Sequence, residues 1–295
     1  LRITPQLLAA ATGDHCWAEK HDRHLQEICE VPDEITEAIA GSMGHALLLS
    51  EARRAVRKEP QNLGAYDYRM RGLWHLFKFT KEDNRKARAF FEKAIERDPE
   101  YAEAFSDLAS VHYQDTLLQW TDSPAQSLAE QFRAAEKCIQ LDNTQAWGHY
   151  ALAWAYSLSG QRDQAIAAAE LAVELLPSFA EGHQALGLFL SITGRHEEGI
   201  AHQEKAIQLS PKSYLTSYCM HCISLGHFAA GRYEESVEWE KRALQRTPDY
   251  WISLGTLTSS HAHLDRMEEA RSTLERMLRA NPEYSEDAFR MIFSI

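Results

Sequence analysis

The chain has 295 residues, 44% of them hydrophobic, which is enough for one long repeat domain or two compact domains. Its formal net charge of −12 argues against binding of this segment to a nucleic-acid backbone. No stretch approaches the ~18 consecutive apolar residues of a membrane span, and an odd number of cysteines, five, predicts reduced thiols in a cytoplasmic protein.

The first 31 residues lack helical periodicity and predict a short β-hairpin. Two extended runs flank Thr12-Gly13-Asp14, a sequence typical of a turn. The first residues lack a signal-peptide pattern. The chain begins with Leu1 rather than Met, so we expect a piece of a longer protein. Because an isolated hairpin is marginal in water, this end should pack on the rest of the chain, pair with another copy, or be poorly ordered.

A linker helix is predicted within residues 32–60. Pro32, Asp33 and Glu34 suit a helix start, and the basic residues near its end suit the negative end of the helix dipole. Its apolar stripe consists of Ile35, Ile39, Met43, Leu47 and Ala52.

These two segments together resemble the last strands and linker helix of a TolB-like domain. The resemblance is carried by Arg2-Ile3-Thr4, Gln6-Leu7, Thr12-Gly13, His15, Trp17, Asp22-Arg23 and Asp33-Glu34-Ile35. In bacteria that module often joins a class III adenylate/guanylate cyclase domain, or a winged-helix DNA-binding domain, to a helical repeat array. The resemblance therefore implies a signalling or regulatory parent protein.

The remaining chain repeats with a period of about 34 residues. Its helix-ending residues are Pro99, Asn143, Pro177, Pro211, Pro248 and Pro282, and three of the five successive spacings between them equal this period. Most side chains at positions −5, −12 and −24 relative to these residues are small, which lets two antiparallel helices approach closely. Gly160, Gly194 and Gly231 stand where the first helix of a pair must stop and turn.

This period and these positions resemble the tetratricopeptide-repeat (TPR) family over roughly residues 65–282. The resemblance implies a mainly α fold, a TPR α-solenoid in which helix pairs form a right-handed superhelix. Residues 61–295 would hold about six units, with a partial capping helix at EYSEDAFRMIFSI. Two units are irregular: the first has a lengthened turn, FKFTKEDN, and the second has an insert of about ten residues near QDTLLQWTDSP, expected as a loop.

In TPR arrays the first helices line a concave, peptide-binding face. The matching positions here are Trp147, Tyr150, Trp154, Gln184, Leu188, Tyr218, His221, Leu225, Phe228, Ile252, Ser259 and His263. Co-chaperone TPR proteins clamp a carboxylate with Lys and Asn at these places, whereas aromatic residues and histidines stand here. This composition favours an apolar helix or an extended peptide as the ligand. The alternative is that several of these side chains fill the core between repeats.

No catalytic, cofactor-binding or metal-binding residue is predicted. Cys219 and Cys222 lie one helical turn apart without a second ligand pair at zinc spacing, which favours structural cysteines. His196 and His202 are six positions apart, whereas the two histidines of a zincin are four apart. The histidines of the first helices are expected at the surface or in the groove; these are His221, His227, His261 and His263.

The sequence thus predicts a protein-interaction module of a bacterial signalling protein associated with adenylate/guanylate cyclase. Its partner would be its own upstream domain, a second protomer in a homodimer, or another protein, and not a nucleic acid or membrane. One alternative is the TPR region of a winged-helix transcription regulator. Another is an enzyme or metal protein that uses Cys219 and Cys222.

Overall fold

The computed structural model describes residues 2–3, 6–8, 15–18, 21–22, 47–48, 50–58, 63–211, 213 and 215–281. The chain forms two compact units, Leu1–Phe179 and Ala180–Ile295. Among the described residues, no helix is both long and apolar enough to cross a membrane.

The amino-terminal strands form antiparallel pairs. The strands are β1 (Arg2–Ile3), β2 (Gln6–Leu8), β3 (His15–Ala18) and β4 (His21–Asp22). β1 pairs with β4 and β2 pairs with β3, with an irregularity in the second ladder between Leu7 and Leu8. Arg2 opposes Asp22 and Gln6 opposes Ala18, so the two ladders share one register and belong to a single hairpin. The sequence predicts a β-hairpin in this segment. The predicted turn at residues 12–14 lies outside the described residues.

The first unit continues with three helix pairs, and in each pair a short turn joins the first helix to the second. The helices are α1 (Ala65–Leu76), α2 (Lys81–Arg97), α3 (Ala102–Leu117), α4 (Pro124–Leu141), α5 (Ala146–Leu158) and α6 (Arg162–Leu175).

The second unit contains three further pairs in its described part. The helices are α7 (Ala180–Ile192), α8 (His196–Leu209), α9 (Thr216–Ala229), α10 (Tyr233–Arg246), α11 (Trp251–His263) and α12 (Met267–Ala280). Stacked helix pairs within each unit confirm the α-solenoid prediction. The proposed boundaries at residues 31 and 60 remain predictions, and the expected capping helix lies outside the described residues.

The repeat positions read from the sequence are the helix-packing positions of the structure. Every side chain at positions −5 and −12 relative to a helix-ending residue is buried; these are Ala94, Cys138, Ala172, Ala206, Ala243, Met277, Ala87, Gln131, Ala165, Gly199, Ser236 and Ala270. Gly187 and Gly199 approach each other closely, because a Cβ on Gly187 would lie 2.8 Å from the Gly199 carbonyl oxygen. Small residues therefore let α7 and α8 meet backbone to backbone.

The turn within each helix pair uses one residue with positive φ. Gly160, Gly194 and Gly231 have φ of 78°, 88° and 74°, as their predicted role at the end of the first helix requires. The other three turns place Phe79, Gln119 and Asp265 in the same region, at 51°, 53° and 57°. Each of these turns thus contains one residue with a left-handed backbone conformation, and that residue can be glycine or another amino acid.

The two irregular units differ from the sequence prediction. The first does not have a long turn, because Thr80 caps α2 by accepting a hydrogen bond from the Asp83 N–H at 3.1 Å and KEDN is helical. In the second, α3 and α4 have 16 and 18 residues where α5 and α6 have 13 and 14. The insert therefore lengthens both helices as well as the turn at residues 118–123.

The helical residues that precede α1 belong to the core of the first repeat. Residues 50–57 are helical, and Ala55 packs in one cluster with Met70 and Phe91. The Arg71 guanidinium donates hydrogen bonds to the carbonyl oxygens of Ala55 and Lys58, which satisfies the carboxyl end of this helix. The carboxyl-terminal part of the predicted linker helix is thus packed as a solenoid helix; residues 32–46 lie outside the described residues.

Candidate peptide-binding face

The twelve predicted groove residues all lie on first helices, namely α5, α7, α9 and α11. Three of them are interior: Trp154, Gln184 and His221 are 8%, 3% and 2% exposed. These three are core residues in the free chain, as the core-filling alternative expects for some positions. The other nine are half-buried or exposed, and their role in peptide binding stays a prediction.

An aromatic cluster lies on α3, α5 and the end of the first unit. It consists of Tyr113, Trp147, Tyr150, Trp154 and Phe179, with neighbouring ring centroids 4.4–6.4 Å apart and the rings tilted or edge-on. Phe179 is buried behind Trp147 and Tyr150, which stay partly exposed. Tilted pairs at such distances are the favoured aromatic geometry, so the exposed edges of these two rings are held in place.

Sequence reasoning missed Tyr113 and Phe179. Tyr113 lies on α3, in the lengthened repeat whose positions could not be aligned from a fixed period. Phe179 lies between α6 and α7, in a connection rather than on a first helix. The sequence feature that could have indicated Phe179 is its position two residues after the helix-ending Pro177.

The second unit has a smaller aromatic cluster, formed by Phe228, Tyr233 and His263. The Tyr233 and His263 rings stack at 4.3 Å with 7° between their planes, and Phe228 meets both edge-on at 5.4 and 5.5 Å. Tyr233 begins the second helix α10, so a search restricted to first helices could not include it. Two of the predicted residues, Phe228 and His263, are therefore brought together by a third that was not predicted.

His221 does not lie at the surface, contrary to the prediction. Its Nδ1 lies 2.7 Å from Glu240 Oε1, and both side chains are buried. Tyr250 meets the His221 ring edge-on, and burial, with Cys222 and Glu240 nearby, raises the pKa of Tyr250 to about 12. A carboxylate on α10 thus pairs with a histidine on α9 inside the second unit, and a pair so far apart along the chain has no local sequence signal. His261 is buried as well.

The cysteines of the described helices are buried, as predicted for Cys219 and Cys222. Burial raises the pKa of Cys138 and of Cys219 to about 12, and it raises the pKa of Cys222 well above its usual value. Such thiols are protonated and inert at neutral pH. In the part of the chain that the structure describes, no group of three or more His, Cys, Asp or Glu side chains is arranged to hold a metal ion.

Positively charged side chains on α1 and next to it interact with other groups of the first unit. Arg69 on α1 donates a hydrogen bond to Asp107 at 2.6 Å, and both side chains are largely buried. Burial alone would lower the pKa of the Arg69 guanidinium, but the Asp107 carboxylate outweighs it and holds that pKa above its usual range. Arg53 and Lys78 lie over the Trp74 ring, 6.0 and 5.7 Å from its centroid. Arg69 is therefore committed to an internal carboxylate rather than to a ligand.

Family models described as "Tetratricopeptide repeat" match four segments, residues 76–101, 148–179, 180–213 and 216–247. The chain therefore contains tetratricopeptide repeats, in the register that the small residues and helix-ending residues indicate.

Solved structures share the fold at low sequence identity. The crystal structure of the APC/C hetero-tetramer Cut9-Hcn1 matches with a TM-score of 0.68 and 14% identity, over 88% of this chain and 48% of that one. PilF of Pseudomonas aeruginosa matches with a TM-score of 0.59 and 16% identity, over 78% and 96% of the two chains. The type IV pilus biogenesis factor PilW matches with a TM-score of 0.59 and 15% identity, over 77% and 98%. These likenesses establish the α-solenoid fold and nothing about partners.

A relative in sequence comes from Rhizobium meliloti (strain 1021) and bears the name "Putative adenylate cyclase 3". It is 31% identical over 165 residues, which cover 56% of this chain and 28% of the relative. The matched part thus spans little more than a quarter of that protein's length.

Proposed function

We propose that this chain is the regulatory protein-interaction module of a bacterial signalling protein that carries an adenylate/guanylate cyclase domain elsewhere. The observation that supports the proposal is the partial match to a protein bearing a cyclase name, combined with tetratricopeptide repeats in the matching chain. In this proposal the repeats bind protein segments in the cytoplasm and catalyse no reaction.

The first-unit aromatic cluster is the best-supported contact surface. Trp147 and Tyr150 are partly exposed, and Phe179 and Trp154 hold them from behind. Rigid aromatic side chains provide contact area at low entropic cost, and a few such anchors usually dominate a binding free energy. Phe228 and His263 give the second unit a corresponding surface. An apolar helix or an extended peptide is the ligand that fits this chemistry.

The amino-terminal hairpin is the proposed connection to the upstream part of the protein. Its strands keep one antiparallel register, and a two-stranded ladder leaves outer edges that can pair with further strands. The remainder of a TolB-like sheet in the parent protein would occupy such an edge, or a second protomer would do so in a homodimer. Deletion of residues 1–31 should then change either the hydrodynamic mass or the stability; if neither changes, the hairpin has no such role.

A peptide screen tests the groove proposal. Trp147→Ala and Phe228→Ala should each weaken binding of a selected apolar peptide by about 1–3 kcal/mol. Trp239→Ala is the matched control, because Trp239 is a tryptophan on the second helix α10 that is not fully buried. Circular dichroism should show unchanged helix content in all three variants. A preference for acidic carboxyl-terminal peptides that weakens steeply with salt would contradict the proposed groove chemistry.

The gene sequence upstream of Leu1 tests the parent protein separately. A class III cyclase domain is expected there. A winged-helix DNA-binding domain would instead place these repeats in a transcription regulator, the alternative that the TolB-like resemblance allows.

A further inference from the structure

Two histidines meet between the helices of one repeat in the second unit. His183 lies on α7 and His202 lies on α8. Their Nδ1 atoms are 2.9 Å apart, and their rings are nearly parallel, with 24° between the planes. His183 is buried and His202 is half-buried, so solvent reaches the pair from the His202 side.

The short distance between the two Nδ1 atoms limits which of them can carry a hydrogen. At 2.9 Å one Nδ1 carries the hydrogen and donates it, while the other accepts with its lone pair. If both neutral rings carry their hydrogen on Nε2, the two Nδ1 lone pairs face the same small volume, which is an arrangement that a metal ion stabilises. The geometry therefore suits a shared proton or a shared cation.

The spacing fits metal coordination by imidazole. Nitrogen–metal bonds are about 2.0–2.1 Å long, so two nitrogens bound at angles of about 90–110° lie about 2.9–3.4 Å apart. The observed separation of 2.9 Å falls at the lower end of this interval. Imidazole is a preferred ligand of copper, nickel and zinc.

Packing alone does not require two imidazoles at these positions. The equivalent pairs in regular neighbouring repeats are His149 with Ala168, Met220 with Trp239, and Leu254 with Thr273. The equivalent positions thus hold apolar and mixed residues, and only the α7–α8 repeat, among these four, has histidine on both helices.

We propose that His183 and His202 form a two-histidine site for a divalent transition-metal ion, Cu²⁺, Ni²⁺ or Zn²⁺, with water completing the coordination. Glu198 lies one turn before His202 on α8 and adds negative charge nearby. Its two oxygens accept hydrogen bonds from Arg195 at 2.7 and 2.6 Å.

An ion in this site would join the first and second helices of the α7–α8 repeat. Because the two ligands come together only in the folded chain, metal binding stabilises that repeat by mass action. The interaction module would then be more stable in the metal-loaded state.

Equilibrium dialysis of the chelator-treated full chain against Ni²⁺ or Zn²⁺ at pH 7.5 tests the proposal. We expect one bound equivalent and a thermal midpoint that rises with metal concentration. His202→Gln keeps a hydrogen-bonding side chain but removes one ligand, so it should weaken binding at least tenfold. His227→Gln is the control, because His227 is a partly exposed histidine of the same unit outside the pair and the chain has 14 histidines that can bind metal weakly. It should leave binding unchanged.

Electron paramagnetic resonance of the Cu²⁺-loaded parent chain gives a readout that needs no variant. Hyperfine structure from two nitrogen ligands is expected. No stoichiometric uptake, fewer than two nitrogen donors, or equal binding by the parent chain and His202→Gln would overturn the proposal.

Discussion

The two units build the same helix pairs with different interiors. The first unit has helices of unequal length and buries two carboxylates: Asp107 pairs with the largely buried Arg69, and Asp115 accepts hydrogen bonds from the buried amide of Asn84 and from the partly exposed Arg88. The second unit has helices of 13 or 14 residues and joins α9, α10 and α11 through a chain of buried hydroxyls, Ser224 to Ser236 to Ser260, each step 2.8 Å long.

This difference shows two ways to hold a solenoid together. Where the period is regular, small side chains bring helices close and neutral hydrogen bonds suffice. Where the helices are longer, charged side chains complete the packing. A buried ion pair stabilises the fold only while both partners are present, because a single buried charge is costly. Among its described residues, the second unit buries one carboxylate, that of Glu240, next to the His221 ring.

The largest expected effect is loss of the internal ion pair of the first unit. Asp107→Ala leaves Arg69 charged and unpaired in the interior, and it should cost about 3–5 kcal/mol of unfolding free energy in urea denaturation. Glu234→Ala is the control in the second unit, because it removes an exposed ion pair with Arg266; such pairs contribute about 0–1 kcal/mol.

The double variant Arg69→Met with Asp107→Leu sharpens this test. Removing both charges should recover most of the stability lost in Asp107→Ala, because no uncompensated charge remains. A double variant as unstable as the single one would show that shape, and not charge, maintains this contact.

In the first unit, His112 should make the stability depend on pH. Burial, with the Arg88 charge nearby, lowers the pKa of His112 from its usual 6.5 to about 4. The native ring therefore stays neutral while the unfolded chain binds a proton, so stability falls as the pH falls from about 6.5 to 4. The loss should reach roughly 2–3 kcal/mol at pH 4.

His112→Gln isolates this contribution, because glutamine keeps polar contacts but does not titrate. The variant should show a shallower decline of urea midpoint with decreasing pH than the parent chain. Parallel declines in the two proteins would assign the pH dependence to other groups.

Close helix approach is common to both units and can be broken in each. Gly187→Leu in the second unit and Ala172→Phe in the first place large side chains where no space exists, and each should cost about 1–3 kcal/mol. Gly64→Ala is the control, since its added Cβ would meet no atom nearer than 3.9 Å. Thermal midpoints equal to the parent value in both large variants would disprove the assigned repeat register.

The smallest effects are expected in the turns. Gln119→Gly in the first unit relieves a left-handed non-glycine residue and should raise stability by up to about 1 kcal/mol. Gly194→Ala in the second unit introduces that strain and should lower stability by about 1 kcal/mol. Calorimetric midpoints that move in the same direction for both changes would contradict this account of the turns.

Candidate site residues were harder to predict than the fold. Trp154, Gln184 and His221 occupy first-helix positions as expected, yet their side chains are buried. A rotation of the helix by a single position separates an exposed site from a buried one, and the repeat period does not determine that rotation. Tyr113, Phe179 and Tyr233 complete the aromatic clusters from places that the repeat pattern does not mark.

Features that depend on local sterics could be located from the amino-acid sequence: the small residues where helices touch, the prolines that end them, and the glycines that reverse the chain. Each acts through its own backbone or its own size, so spacing along the chain suffices to find it. Three other features depend on how the helices pack in three dimensions: which long helices accommodate the insert, which polar residues are buried, and which side chains pair across helices. Arg69 with Asp107, His221 with Glu240 and His183 with His202 each join two different helices, and such pairs depend on how those helices rotate against each other as they pack.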